Sequence, residues 1–316
     1  MSDWPSVTVI VPVLNGEQTI GACLQALRTQ TYPGRMQPVV INDGSTDRTS
    51  NVARGFTEAQ VIDQANRGRA AARNRGIAES AGEVLAFTDA DCVPRPDWLE
   101  TLVRRLRERE RRGIVGGAIA IPPAANLWQR LDHQAWAHST GPAAPAGPTL
   151  FGSTANMCLW RKVFTAVGGF DFRLRGSEDS DLAVRVHLAG YENFFEPAAV
   201  VEHRHPRTTL TSFLRQRYNY GKWTIQTVLK HKPLPPYSRM FPNNRLLLAL
   251  LWPAYTVLAT GFTVLRAWRA EPSVIWLSPL HGIGRAVEYL GTVAGCGEYQ
   301  RKFGPAGRER REKGGE

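Results

Sequence analysis

The run Val84-Leu85-Ala86-Phe87-Thr88-Asp89-Ala90-Asp91 constrains this chain more than any other stretch. It is a short apolar run entered through Gly82-Glu83 and stopped by acids and then by Pro94 and Pro96, which are the length and flanks of an interior strand of a parallel sheet. Ligands of open α/β sheets bind in the crevice beyond the carboxyl ends of the strands, so Asp89 and Asp91 are placed where a substrate sits. Two carboxylates at this spacing call for a cation. Hard oxygen ligands suit Mg²⁺ or Mn²⁺, and a divalent ion held there neutralises a diphosphate. Asp-x-Asp recurs at Asp179-Ser180-Asp181, so the pair gains its weight from its position and its neighbours.

The preceding residues supply those neighbours. Val7–Val11 is a β-branched run, and Pro12-Val13-Leu14-Asn15-Gly16-Glu17 turns the chain into a helix over 18–28. No Gly-x-Gly-x-x-Gly follows this strand, which argues against a dinucleotide cofactor. Pro38–Ile41 reads as the next strand, and Asn42-Asp43-Gly44-Ser45-Thr46-Asp47 as a turn leading into a helix over 49–56. Asp43, at a strand end, is either an acceptor for a nucleotide's base or ribose or a plain turn residue, and Asp47 belongs to the helix start. Val61-Ile62 is a short strand. Asn66-Arg67-Gly68 opens an Ala-rich helix, 69–80, on which Arg73 either reaches a diphosphate or stays on an exposed face. After the acid pair, Asp97 caps a helix over 98–109 and Ile114–Ile121 returns as a strand. The order βαβαβαβαβ predicts a largely parallel sheet with helices on both faces. Pro122–Pro148 reads as a loop carrying one helix, 127–137, over the site.

Further acids follow. Ser177 is an N-cap with Glu178 and Asp179 in the first helical turn, where the helix dipole favours the charged form; one of them faces a pocket, or both are capping residues. Glu202-His203-Arg204-His205 comes after two short extended segments, and a long helix pattern over 210–231 contains Arg217 and Tyr218.

Taken in order, Pro12-Val13-Leu14-Asn15, Asn42–Asp47, Asn66-Arg67-Gly68 with Ala72-Arg73-Asn74, Asp89-Ala90-Asp91, Gly168-Gly169-Phe170-Asp171 and Glu178-Asp179-Ser180-Asp181-Leu182 resemble the family 2 glycosyltransferases over roughly residues 6–225. The resemblance implies the nucleotide-diphospho-sugar transferase fold (GT-A type) and inverting transfer of a sugar to a hydroxyl acceptor, lipid-linked acceptors included, in cell-envelope or polysaccharide synthesis. It implies Asp43 for the base, Asp89 for ribose and metal, Asp91 for metal and diphosphate, and Asp179 as general base with Glu178 beside it. Pro12, Asn15, Arg73 and Arg217 join the donor-binding set, and His203, with His205 as runner-up, completes the metal site. Asn42 departs from the pattern, because many members carry a second aspartate there. The processive Gln-x-x-Arg-Trp element is absent, which favours one transfer per encounter. Two rivals are a catalytically inactive sugar-nucleotide-binding membrane scaffold and a nucleotidyltransferase, the latter expected to carry a Gly-rich basic phosphate loop after the first strand.

At 316 residues the chain has room for one large domain and an appendage, expected as 1–225 catalytic and 226–316 helical. A net charge of +11 points to an anionic partner, but the clusters at Arg104–Arg112 and Arg301–Lys313 lack interleaved aromatics, so nucleic acid is not expected. The four scattered cysteines form no metal or disulfide motif. No signal peptide is read at the N-terminus. Leu246–Leu265 is uncharged over a span able to cross a bilayer, while His281, Arg285 and Glu288 spoil Val274–Cys296. Basic residues on both flanks favour a hairpin or in-plane anchor over a single span. The expected location is the cytoplasmic face of the plasma membrane.

Overall fold

The computed structural model describes residues 3–134, 140–150, 152–174, 176–204, 208–232, 244–270 and 278–303. Two compact units emerge, Met1–Ala125 with Trp136–Pro206, and Asn126–Ala135 with Arg207–Glu316. The first runs β1 (Val7–Val13), α1 (Ile20–Arg28), β2 (Met36–Asn42), α2 (Thr49–Arg54), β3 (Gln60–Asp63), α3 (Arg69–Ala78), β4 (Val84–Thr88), β5 (Cys92–Pro94), α4 (Trp98–Arg107) and β6 (Arg112–Ala120). After α5 (Leu127–Gln134), which belongs to the second unit, it resumes with β7 (Gly147–Pro148), β8 (Asn156–Trp160), α6 (Arg161–Ala166), α7 (Glu178–Leu188) and β9 (Glu192–His203). The second unit adds α8 (Leu210–Lys230), α9 (Arg245–Ala270) and α10 (Ser278–Phe303).

The sheet has the order β3-β2-β1-β4-β8-β6-β9-β5, with β7 also on β9. Strands β3, β2, β1 and β4 are mutually parallel. Every residue of β1 and of β4 is buried, so both faces need cover. Alternation along β1 sends Val9 and Val11 to one core with Leu24 and Leu27 of α1 and Leu102 and Leu106 of α4. Ile10 points to the opposite core, which Ile77 of α3, Phe164 of α6 and Leu182 of α7 complete.

Beyond β4 the sheet departs from the simple alternating pattern. Strand β8 lies between β4 and β6 and runs antiparallel to both. Strand β6 pairs parallel with β9, while β5 and β7 run antiparallel to β9. The sheet is therefore mixed, with four parallel strands at the β3 side and one further parallel pair, β6–β9. The buried Asn156 amide stitches this half together: it accepts from Trp98 Nε1 at 2.7 Å and donates to Ala118 O and Ala199 O at 2.8 Å each. A buried amide with three good partners is worth keeping, since losing any one leaves a dry polar group.

In the second unit α8 and α10 touch through their backbones. A Cβ on Gly221 would lie 1.7 Å from Glu288 O, one on Gly291 would lie 1.9 Å from Tyr218 O, and one on Gly295 would lie 2.2 Å from Lys222 O. Only hydrogen fits there. Arg217 of α8, 2% exposed, pairs with Asp132 of α5 at 3.3 Å and with Glu288 of α10. That pairing gathers α5 with the C-terminal helices, so the division falls at 206/207 and takes in Asn126–Ala135, whereas the expected boundary at 225/226 lies inside α8. Helix α9 holds the one candidate membrane-crossing segment among the described residues: Arg245–Phe262 has mean hydropathy 1.4 and is 6% buried. Leu246, Leu250, Val257 and Leu258 are each more than 70% exposed.

Candidate active site

The parallel strands end side by side, with Val13 of β1 opposite Asn42 of β2. Pro12 is a buried strand residue and Asn15 takes positive φ, 52°, which Asn tolerates better than most residues. Asn15 Oδ1 accepts from Thr46 N at 2.9 Å and Asn15 N donates to Ser45 Oγ at 2.8 Å, so the β1 and β2 loops brace each other. Asp47 accepts from Glu17 N and from the Thr49 amide and hydroxyl, and the hydroxyl bond is the first reason its carboxyl is held below the usual range. It is a structural acceptor at the helix start.

Asp43 is 4% exposed and receives three hydrogen bonds, from Arg67 N and Gly68 N at 2.9 Å each and from Gln64 Nε2 at 2.7 Å. The β3–α3 loop is thereby wrapped around one carboxylate. Gly44 permits the close approach: its φ is 80° and a Cβ would lie 2.8 Å from Asn66 N. Asn42 is used locally, donating to Asp63 at 2.8 Å and accepting from Ser45 N at 3.2 Å.

Strand β4 delivers Asp89 and Asp91, whose side chains are 21% and 24% exposed. Behind them lies Arg73, 1% exposed, with Nη2 on Asp89 Oδ1 and Nη1 on Glu178 Oε1, both at 2.8 Å. Asp91 meets a different partner. The β5–β9 pairing aligns Cys92 with His203, bringing His203 Nε2 to 3.1 Å from Asp91 Oδ1. Donor atoms of Asp91, Cys92 and His203 all lie within 4.8 Å of one another. Burial first, then the charges of Asp91 and Asp89, push the Cys92 thiol well above its ordinary value. A thiol that keeps its proton is a poor ligand, so the fitting donors are one carboxylate oxygen and one imidazole nitrogen, a set that suits a divalent cation sharing oxygens with a diphosphate.

Three acids open α7. Glu178, 3% exposed, is taken by Arg73 and by Gly176 N at 2.8 Å. Asp181, fully buried, is taken by Arg185 at 2.9 Å. Asp179 receives only backbone amides, Ser180 N at 2.7 Å and Thr154 N at 3.4 Å, and has no cationic partner among the described residues. Desolvation first, then the adjacent Glu178 charge, raise its carboxyl from 3.8 to about 6, against the pull of Arg73 and the two amides. A carboxyl so raised is poised to take a proton near neutral pH.

The first unit thus holds Asp43, Asp89, Asp91, Glu178, Asp179 and His203, with Arg73 linking Asp89 to Glu178 and His203 meeting Asp91. Arg73, expected toward the diphosphate or on an exposed face, instead turns inward with both arms of its guanidinium engaged. Arg217 lies in the second unit, held by Asp132 and Glu288. His205 lies outside the described residues. Two site residues escaped the sequence reading. Cys92 sits on a strand too short to show a period, and Gln64 follows Val61-Ile62 at a strand end, the position that singled out Asp43.

The sequence model described as glycosyl transferase family 2 matches residues 8–170. Glycosyltransferase AglE of Haloferax volcanii is 32% identical over 71% of this chain and 75% of its own length, and the probable glycosyltransferase YdaM of Bacillus subtilis is 31% identical over 73% of this chain, which spans 58% of YdaM. Among solved structures, a mannosyltransferase from Pyrobaculum calidifontis in complex with GDP-Man and Mn²⁺ superposes with a TM-score of 0.62 at 23% identity, covering 92% of this chain and 88% of that one. This last likeness concerns the fold.

Proposed function

This chain belongs to glycosyl transferase family 2, and we propose that it moves a hexosyl group from a nucleotide-diphospho-sugar to a hydroxyl acceptor with inversion. The observation that carries the reading is the sorting of the α7 acids: Glu178 and Asp181 are neutralised by arginines, while Asp179 is left with a carboxyl raised to about 6. Arg73 ties this helix start to Asp89, so base and donor-binding acids belong to one site.

In the proposed mechanism the nucleotide's base lies at Asp43 and its ribose at Asp89. Asp91 and His203 would hold a divalent cation, Mg²⁺ or Mn²⁺, which when bound supplies Lewis-acid stabilisation of the departing diphosphate. Asp179 removes the acceptor hydroxyl proton as the oxygen attacks the anomeric carbon from the face opposite the leaving group. One displacement inverts the centre and needs no covalent sugar–enzyme bond, so a single base suffices. Arg217 is left out of the donor contacts because its charge is already balanced by Asp132 and Glu288.

We further propose a membrane-borne site of action, at the cytoplasmic face, with lipid-linked hydroxyls as the acceptor class; the apolar, exposed α9 supports this reading. The test is incubation with a panel of sugar nucleotides, lipid-linked acceptors and Mn²⁺, followed by nucleoside diphosphate release and product stereochemistry. The expected result is release with one donor, loss of release in excess chelator, and an inverted linkage. A retained linkage would remove the single-displacement mechanism, and no release with any donor would remove the transferase reading.

A further inference from the structure

Arg73 bridges two carboxylates of the site, and its geometry is unlike that of a phosphate ligand. Its side chain is 1% exposed and each terminal nitrogen already meets a carboxylate at 2.8 Å, one beyond β4 and one at the start of α7. The helix that carries it packs tightly on the sheet. Gly76, one turn on, lies so close to the sheet that a Cβ would sit 2.4 Å from Ile41 Cδ1. The next residue, Asn74, clamps the backbone of Phe170 from both sides, donating to its carbonyl at 2.9 Å and accepting from its amide at 3.1 Å. Arg185 of α7 in turn donates to Val167 O and Gly169 O. Helix α3, the 167–170 segment and α7 therefore form one frame, and Arg73 is the strut across it.

We infer that Arg73 is a positioning residue for the proposed transfer: by bridging Asp89 and Glu178 it holds the start of α7 in place and supplies the countercharge beside the base, with Glu178 as its partner. The inference rests on the donor and base assignments above. Remove the guanidinium and three carboxylates, Asp89, Glu178 and Asp179, are left around one site. A bridging cation with a planar fork suits this place better than a point charge, because two acceptors on different elements are met at once.

The charges facing Asp179 are Glu178 on its own helix and Arg73 from α3, with backbone amides of Ser180 and Thr154; Asp181 on the same helix is already paired with Arg185. Arg73 lowers the Asp179 proton affinity and Glu178 raises it. The two halves of the pair must then act in opposite directions on the acidic limb of the rate profile, a signature that loss of scaffold alone does not produce.

The experiment measures single-turnover transfer at saturating donor across pH, beside nucleoside diphosphate affinity by calorimetry with Mn²⁺, for the full chain and for Arg73→Met, Arg73→Lys and Glu178→Gln. Expected for Arg73→Met is an affinity within about threefold of the parent, a rate reduced about 10- to 100-fold, and an acidic limb moved up by about one pH unit. Glu178→Gln, which leaves Arg73 an uncharged acceptor, should move the limb down and lower the saturated rate by less than Arg73→Met does, and Arg73→Lys, with the charge but one arm, should keep the limb and recover part of the rate. Should Arg73→Met fail to fold, the opposite behaviour of Glu178→Gln and the partial rescue by Arg73→Lys carry the test. A large loss of nucleotide affinity with the saturated rate intact would make Arg73 a diphosphate ligand and overturn the inference, as would limbs that do not move or a Glu178→Gln variant that is dead. Absence of nucleotide binding by the parent chain would instead strike the donor reading on which this rests.

Discussion

At the scale of single residues the proposed mechanism rests on Asp179, and its environment predicts how it is assayed. A carboxyl raised to about 6 is protonated below that pH, so transfer should fall about tenfold per unit as the pH drops through 6, and the limb should vanish in Asp179→Asn. In that variant donor affinity should persist while the single-turnover rate falls by roughly 10²–10⁴. The same shift has a stability consequence. A carboxyl whose proton affinity rises on folding loses stability as pH rises from its unfolded value of 3.8 through about 6, so at pH 7 Asp179→Asn should melt no lower than the parent, and higher if the desolvation cost is relieved. A parental rate in Asp179→Asn would reassign the base. Asp43 is the second residue-scale test. Asp43→Ala strips three donors of their acceptor, and nucleotide affinity should weaken by about 1–3 kcal/mol in calorimetry. An unchanged dissociation constant would reduce it to a loop clamp.

Elements differ in how far their own residues announce them. The strands β1, β2 and β4 and helices α1, α3 and α4 are visible as apolar runs and periodic faces, and so were the acids at their ends. Strand β8 was not, because Asn156–Trp160 is five residues long and leads straight into α6, so a short apolar run there serves strand or helix equally. Strand β9 reads as two pieces in sequence, since Pro197 interrupts it, and the structure carries it through with an irregular register against β6. The α8–α10 pair gives the prediction at this scale. Gly291→Ala places a methyl 1.9 Å from a backbone carbonyl that has no rotamer to change, so the helices must separate. Thermal melting should fall by several degrees, as a loss of roughly 1–3 kcal/mol implies. A melting temperature equal to the parent's would show that the helices separate without cost.

For the whole molecule, the two units divide the tasks: the first holds the acids, and the second exposes the apolar α9. Burial of Leu250 and Leu258 in a bilayer would remove side chains that are 78% and 74% exposed, each worth about 1.5–3 kcal/mol. Vesicle co-sedimentation of the full chain should therefore be strong, and Leu250→Glu with Leu258→Glu should release it while leaving soluble-donor binding in place. Recovery of the parent chain in the supernatant would argue against membrane association. The sequence by itself determined the α/β class, the strand ends at which Asp43, Asp89 and Asp91 stand, and the set of acids from which a base is chosen, because strand period, turn chemistry and helix starts are written in neighbouring residues. What each charged group meets was decided only by the tertiary structure. Arg73 finds Glu178 across 105 positions, Asp91 finds His203 through the β5–β9 pairing, and Asp179 is left without a cation because Arg73 and Arg185 are taken by the acids beside it. Partners so far apart in the chain leave no local trace, and at short range in a partly desolvated site it is the partner that sets a carboxylate's role.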